Sequence, residues 1–212
     1  MRRGSASINE KWSGQVAVLM GDFLLAKALN ILVEIGDLRA LSVVSKATQR
    51  LSVGEIFEIQ IGEQHDVRES SYFSMVNDKT ASLISASVCL GPIFSKADES
   101  VIASMGKYGE LLGAAFQIAD DILDYTGDSV TMGKPVGHDL REGKITLPLI
   151  RALQRAPSEN RRKVKTLLSE TGKSEVEWEQ IVTFVEEFSG VTAAEETARE
   201  YSSQALKCLE VL

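Results

Sequence analysis

Thiols are scarce in this sequence. Cys89 and Cys208 are the only two cysteines in 212 residues, and they stand far apart with no metal-ligand spacing. That excludes a disulfide framework or a zinc knuckle and fits reduced packing residues in a cytoplasmic protein. His65 and His138 are the only histidines, and neither has a Ser, Cys or ligand neighbour that would make a nucleophile or zinc site, so both are expected to be structural. Positive charge is in deficit, 23 Lys and Arg against 30 Asp and Glu, a net charge of −7. A nucleic-acid binder normally carries a basic face that displaces counterions, so that class is excluded; a polyanionic substrate would need metal ions or a local basic lining. No apolar run approaches the ~20 residues of a membrane span, and the start, Met1-Arg2-Arg3-Gly4, leads into polar residues rather than an apolar signal core. The expectation is a soluble protein without a transmembrane segment. Prolines number four, Pro92, Pro135, Pro148 and Pro157, and are expected where helices start or stop.

What fills the chain is helical periodicity, with no convincing strand. Gly14 to Ile35 is apolar on nearly every face, which predicts a helix buried on all sides, in a bundle centre or against a second subunit, ended by Gly36. Val44, Ala47 and Leu51 begin a further helix through Ile59. Another is predicted from Tyr72 to Val88, where the small residues Ala81, Ser82, Ser85 and Ala86 permit close approach. A long helix follows from about Glu99 to Tyr125, then a loop crowded with Gly127, Gly133, Pro135 and Gly137, and helix again near Pro148. Ser174 and Glu177 fit a capping box for a helix through Val185 with Gly190 as its stop, and a last amphipathic helix runs to Leu212. Trp12 and Trp178 read as packing anchors, and Glu63 to Asp66 and Glu186 to Glu187 as solvated charges. The fold class is all-α, a single helical bundle.

Gln117, Asp120, Asp121 and Asp124 stand at i, i+3, i+4 and i+7, so they share one face of the long helix, with Phe116, Ile118, Ala119, Ile122 and Leu123 on the others. Three carboxylates within about 6 Å of helix rise repel one another by on the order of 1 kcal/mol per close pair unless solvated. Cations relieve that strain, and all-oxygen ligation suits magnesium, which bridges one or two carboxylates to substrate phosphates. A solvated acidic face is the plainer alternative, weakened here by the apolar flanks. Basic groups that could meet such a metal diphosphate are Lys79, Lys134, Lys144, Arg2 and Arg3, with Thr80 beside Lys79. Lys79 is the least ordinary, lying between Val76 and Leu83.

At these residues the sequence resembles the trans-isoprenyl diphosphate synthases, especially the longer-chain polyprenyl members. GAAFQIADDILDYTGD resembles the family's second aspartate-rich motif with its preceding Gln, and GKPVGHDLREGKITLPLI the loop and helix after it. RRGSASIN resembles the Arg-Arg-Gly segment that follows the first aspartate-rich motif, GDFLLAKA the Gly-Asp-Phe helix, and DKTASL the Lys-Thr pair. The resemblance implies an isoprenoid-synthase-type helical bundle. It implies Mg2+-dependent condensation of isopentenyl diphosphate with an allylic prenyl diphosphate, with Arg2 on the allylic diphosphate, Arg3 on isopentenyl diphosphate, and Lys79, Thr80, Gln117 and Lys134 around the allylic diphosphate. Lys144 is a helper, and Asp120, Asp121 and Asp124 serve the magnesium site.

The sequence departs from the family pattern in having no first aspartate-rich motif. The expectation is therefore a partial prenyltransferase domain over residues 1–212, cut at both ends, nearly inactive alone, and a homodimer. The alternative is a non-catalytic or regulatory partner subunit of a heteromeric synthase. A terpene cyclase fits less well, because its second metal motif is an Asn/Ser/Glu pattern, and a plain helical interaction protein less well still.

Overall fold

A computed structural model describes residues 6–127 and 136–211. Among them every regular element is a helix: α1 (Ile8–Lys11), α2 (Gly14–Ile35), α3 (Leu38–Glu63), α4 (Glu69–Val76), a π-helical turn (Asn77–Ala81), α5 (Ser82–Phe94), α6 (Glu99–Thr126), α7 (His138–Arg141), α8 (Leu147–Arg155), α9 (Ser158–Ser169), α10 (Glu175–Glu187), α11 (Gly190–Lys207) and a closing 3-10 turn (Cys208–Val211). The ends follow local chemistry. Asp37 caps α3 by accepting from the Arg39 and Ala40 amides at 2.9 and 3.0 Å. Gly36 ends α2 at φ 74°, a left-handed conformation that costs glycine little. The Ser174–Glu177 capping box opens α10 as expected.

The 28-residue α6 is the central post, packed against α5 on one side and α11 on another. Small residues make that closeness possible: a Cβ at Gly109 would lie 2.5 Å from the Ser85 Cα, and one at Gly113 2.5 Å from the Ala81 Cα. The main core gathers Tyr72, Ile118, Ile122, Leu149, Ile150, Ile181 and Val185 from α4, α6, α8 and α10, while Leu32, Ala40, Cys89, Ile93 and Ile102 form a smaller cluster at the other end. Cys89 and Cys208 are both free thiols.

Several expectations need correction. α2 does not lie in a bundle centre, the first of its two expected settings: within the chain only Leu32 is buried, and Val18, Leu19, Phe23 and Leu24 are each more than half exposed, which leaves the setting against a second subunit. Its 22 residues, with a mean hydropathy of 1.9 over an 18-residue window, are long and apolar enough to cross a membrane by length and composition, because Asp22 and Lys27 interrupt the run without lowering its average much. Trp12 is 67% exposed and lies outside both core clusters of the described residues, whereas Trp178 packs on the core and carries the Lys173 ammonium 4.7 Å from its ring centroid. Pro92 lies inside α5 rather than at an end. Gly190 begins α11 instead of stopping α10, since a Cβ there would meet the Pro148 carbonyl oxygen at 2.2 Å. Asp66 is not a free solvated charge: it holds the Arg68 guanidinium at 2.7 Å and the Ser71 hydroxyl at 2.6 Å.

Candidate functional site

The run expected as one helix from Tyr72 is α4, the π turn and α5 without a break, and Lys79 and Thr80 fall in the π turn. A π turn inserts an extra residue into the helical winding and is frequent at functional sites. It sits against α3 at Gly54, where a Cβ would stand 2.3 Å from the Lys79 amide nitrogen, and Arg50 steadies it by donating Nε to Asp78 Oδ1 at 2.6 Å. Across from it, α6 presents Gln117, Asp120, Asp121 and Asp124. The Thr80 hydroxyl donates to Gln117 Oε1 at 2.6 Å, Gln117 Nε2 donates to Asp121 Oδ1 at 2.9 Å, and the Tyr72 hydroxyl donates to Asp121 Oδ2 at 2.7 Å.

The third wall is the segment before α8. Gly137, at φ 71°, donates its amide to the Asp124 carbonyl at 2.9 Å, and the Asp139 amide donates to Asp124 Oδ2 at 3.1 Å, so the start of α7 is fastened to the end of the acidic stripe. Asp139 in turn accepts from Lys144 at 2.8 Å. The result is a cavity of about 250 Å³ lined by Glu58, Met75, Lys79, Gln117, Asp120, Asp121, Asp124, Asp139, Lys144, Ile145 and Thr146. Lys79, Lys144, Gln117 and the three aspartates named from sequence thus line one space, with Thr80 hydrogen-bonded to its edge. Arg2, Arg3 and Lys134 lie outside the described residues. Glu58, Asp139 and Tyr72 were missed. Glu58 and Tyr72 reach the site from α3 and α4, and nothing in their local spacing announces it.

Acids outnumber bases in the lining, five carboxylates to two ammonium groups, and Lys79 is already paired with Glu58 at 2.5 Å and Glu55 at 3.5 Å. Burial pushes Asp121 up to about 7 against an ordinary 3.8, partly countered by the hydrogen bonds from Tyr72 and Gln117 and reinforced by the charges of Asp139 and Asp120. Asp124 is raised by burial and by Asp139. For Lys144, burial disfavours the charge, but Asp139 and Glu142 outweigh it and hold the ammonium well above its usual range. Such a cavity repels an anion unless cations enter with it. Among the described residues no three acidic, thiol or imidazole groups form a ready-made cage for a metal. A stripe of carboxylate oxygens without such a cage fits a hard cation that keeps some waters and shares the rest of its ligands with a phosphate group.

Known proteins with this sequence pattern and fold agree with one another. The polyprenyl synthetase family model matches residues 1–185. An all-trans-nonaprenyl-diphosphate synthase (geranyl-diphosphate specific) from Rhodobacter capsulatus is 36% identical over 221 aligned residues, covering all of this chain and 64% of the relative. A crystal structure of polyprenyl synthase from Caulobacter crescentus CB15, complexed with calcium and isoprenyl diphosphate, superposes with a TM-score of 0.91 at 30% identity, over 99% of this chain and 64% of that one. Heptaprenyl diphosphate synthase from Staphylococcus aureus superposes with a TM-score of 0.91 at 30% identity, over all of this chain and 66% of that one. The chain therefore spans slightly less than two thirds of the length of these relatives.

Proposed function

Since the chain belongs to the polyprenyl synthetase family, we propose that it serves a polyprenyl diphosphate synthase, joining isopentenyl diphosphate head-to-tail to an allylic prenyl diphosphate. The observation that carries this reading is the face-to-face placement of Lys79 and Thr80 on the π turn and Gln117, Asp120, Asp121 and Asp124 on α6 around one cavity. We read residues 1–212 as part of a single prenyltransferase domain, without the portion that carries the first aspartate-rich motif.

Magnesium fits the carboxylate oxygens of the α6 stripe, with Asp120, Asp121 and Asp124 as the residues that would hold it. Bound there, it supplies the positive charge that a carboxylate-rich cavity lacks and that a departing diphosphate needs. The Caulobacter relative's structure, with calcium and isoprenyl diphosphate together, supports the pairing of a hard cation with this class of ligand. Lys79 donates to the allylic diphosphate once it is drawn from Glu58, and Thr80 holds the Gln117 amide in place through its carbonyl oxygen, leaving the amide N–H donors toward Asp121 and the cavity. Lys144 assists from the opposite wall. Arg2, Arg3 and Lys134 are assigned to the substrate diphosphates by resemblance alone. The allylic carbon–oxygen bond breaks with its electron pair leaving on diphosphate; the isopentenyl double bond attacks the allylic carbon to form the new carbon–carbon bond; a proton is then lost to restore the alkene. The protein positions and neutralises and needs no nucleophile of its own.

We also propose that a second copy of the chain covers the apolar face of α2, giving a homodimer; a heteromeric assembly would put a different subunit there. Asp22 and Lys27 near the middle of α2 favour a protein partner over lipid, because each would be costly in a bilayer. The proposed location is the cytoplasm. The test is incorporation of radiolabelled isopentenyl diphosphate into extractable lipid by the protein isolated from its source cells, with geranyl diphosphate and Mg2+. Labelled polyprenyl product that disappears on chelation is expected; no incorporation with any allylic primer would overturn the reading.

A further inference from the structure

We propose that Tyr72 is a positioning residue for the Asp121 carboxylate, holding it turned for metal binding from the far side of the cavity. The inference rests on the reading of Asp121 as a metal ligand. Tyr72 and Thr80 belong to the same unbroken helical run, one before the π turn and one within it, and both reach α6. Tyr72 donates directly to Asp121 Oδ2 at 2.7 Å, and Thr80 reaches Asp121 Oδ1 through Gln117, over 2.6 and 2.9 Å. The stripe is therefore gripped at two points by one element, and the two donors occupy different oxygens of a single carboxylate.

The grip has a chemical consequence. Each carboxylate oxygen has about two lone-pair directions, and one on each is taken by these donors, which fixes the rotation of the group and leaves the remaining lone pairs free for a cation. Asp121 is 3% exposed and Tyr72 fully buried, so no water can replace the phenol without a rearrangement of the core. Packing alone does not require the hydroxyl: the ring lies in the main core, edge-on to Phe73 at 5.3 Å between centroids, and would do so as phenylalanine. Tyr125 offers the contrast. It is also a buried core phenol, on α6 itself, but its hydroxyl bonds to Thr146 Oγ1 at 3.3 Å and not to a carboxylate.

The experiment titrates Mn2+ into the protein in the presence of inorganic diphosphate and follows free metal by electron paramagnetic resonance, for the unmodified protein, Tyr72→Phe, Tyr125→Phe and Asp121→Asn. Tyr72→Phe removes one oxygen and keeps the ring, so the helical circular dichroism spectrum should be retained. Metal binding is expected to weaken by about 10- to 100-fold in Tyr72→Phe and further in Asp121→Asn, with Tyr125→Phe close to the unmodified protein. Unchanged affinity in Tyr72→Phe alongside lost affinity in Asp121→Asn would overturn this inference and leave the site reading standing. Equal weakening in Tyr125→Phe would overturn it as a general effect of opening the core. No effect of Asp121→Asn, or no Mn2+ binding by the unmodified protein, would overturn the site reading and this inference with it.

Discussion

Replacing Gly54 by alanine tests how the π turn is held. In an open helix interior the change would stabilise the protein by about 0.8–1 kcal/mol, because glycine is the poorer helix former. Here the added Cβ would lie 2.3 Å from the Lys79 nitrogen, 2.7 Å from its Cα and 2.8 Å from its Cβ, and two of those atoms are backbone. Ordinary carbon contacts need about 3.5 Å or more, so α3 and the π turn must part by roughly 1 Å. Overpacking of that kind costs about 1–3 kcal/mol, enough to reverse the helix-propensity gain. The expected outcome is a net loss of up to about 2 kcal/mol, a fall in Tm of up to about 8 °C for a chain of this size. Lys79 and Thr80 move with the turn, and a displacement of about 1 Å at a positioning group can lower turnover by on the order of 100-fold. Thermal unfolding followed by circular dichroism reads the first effect, and labelled isopentenyl diphosphate incorporation the second. A Gly54→Ala variant more stable than the parent by the full helix-propensity gain of about 0.8–1 kcal/mol would refute the packing of Lys79 on α3.

Asp121→Asn should stabilise the metal-free protein at pH 8. The folded carboxyl titrates at about 7 and the unfolded one near 3.8, so the unfolded chain binds fewer protons between those values. Stability from this group therefore falls as pH rises from 4 to 7, by up to about 4 kcal/mol, and the amide escapes that loss. Urea unfolding at pH 8 and pH 4 checks it, with the gain expected at pH 8 alone. Asp66 runs the opposite way: the Arg68 guanidinium, with help from the Ser71 hydroxyl, holds it well below the usual carboxylate range against the effect of burial. Its contribution is present above about pH 4 and fades as the carboxylate protonates at lower pH, so Asp66→Asn should cost about 1 kcal/mol at pH 7 in urea unfolding and progressively less in acid. Leu24→Asp on the exposed face of α2 should halve the mass seen by sedimentation equilibrium if two copies meet there, and an unchanged mass would remove α2 from the interface.

Helices and the acidic stripe were legible because both depend on local periodicity. The Gln117 to Asp124 spacing needs only 3.6 residues per turn to share a face, and the small residues at Ala81 and Ser85 do lie where α6 comes closest. The π turn was not legible. Its sequence, NDKTA, is compatible with ordinary helix, and the groups it packs on and bonds to, Gly54 and Arg50, are more than twenty residues away. Tyr72 and Glu58 escaped for the same reason: their partners, Asp121 and Lys79, come from other elements, and only the packed fold brings them within hydrogen-bond reach. Gly190 misled because glycine serves both as a helix stop and as a place of close approach, and its neighbour Pro148 decides the matter from another helix. For α2 the sequence left two covers open, a bundle centre or a partner, because an apolar surface reads alike under either, and the exposure of Val18, Leu19, Phe23 and Leu24 removes the first.

Asp120 is an exposed member of the stripe that lines the cavity, and its loss opens no hole in the core. The decisive measurement compares Mg2+-dependent incorporation of labelled isopentenyl diphosphate by the protein from its source cells with that of its Asp120→Ala variant at saturating Mg2+. A drop of roughly 100-fold or more with an unchanged Tm is expected. Full turnover in the variant would contradict the assignment of this cavity as the seat of the reaction.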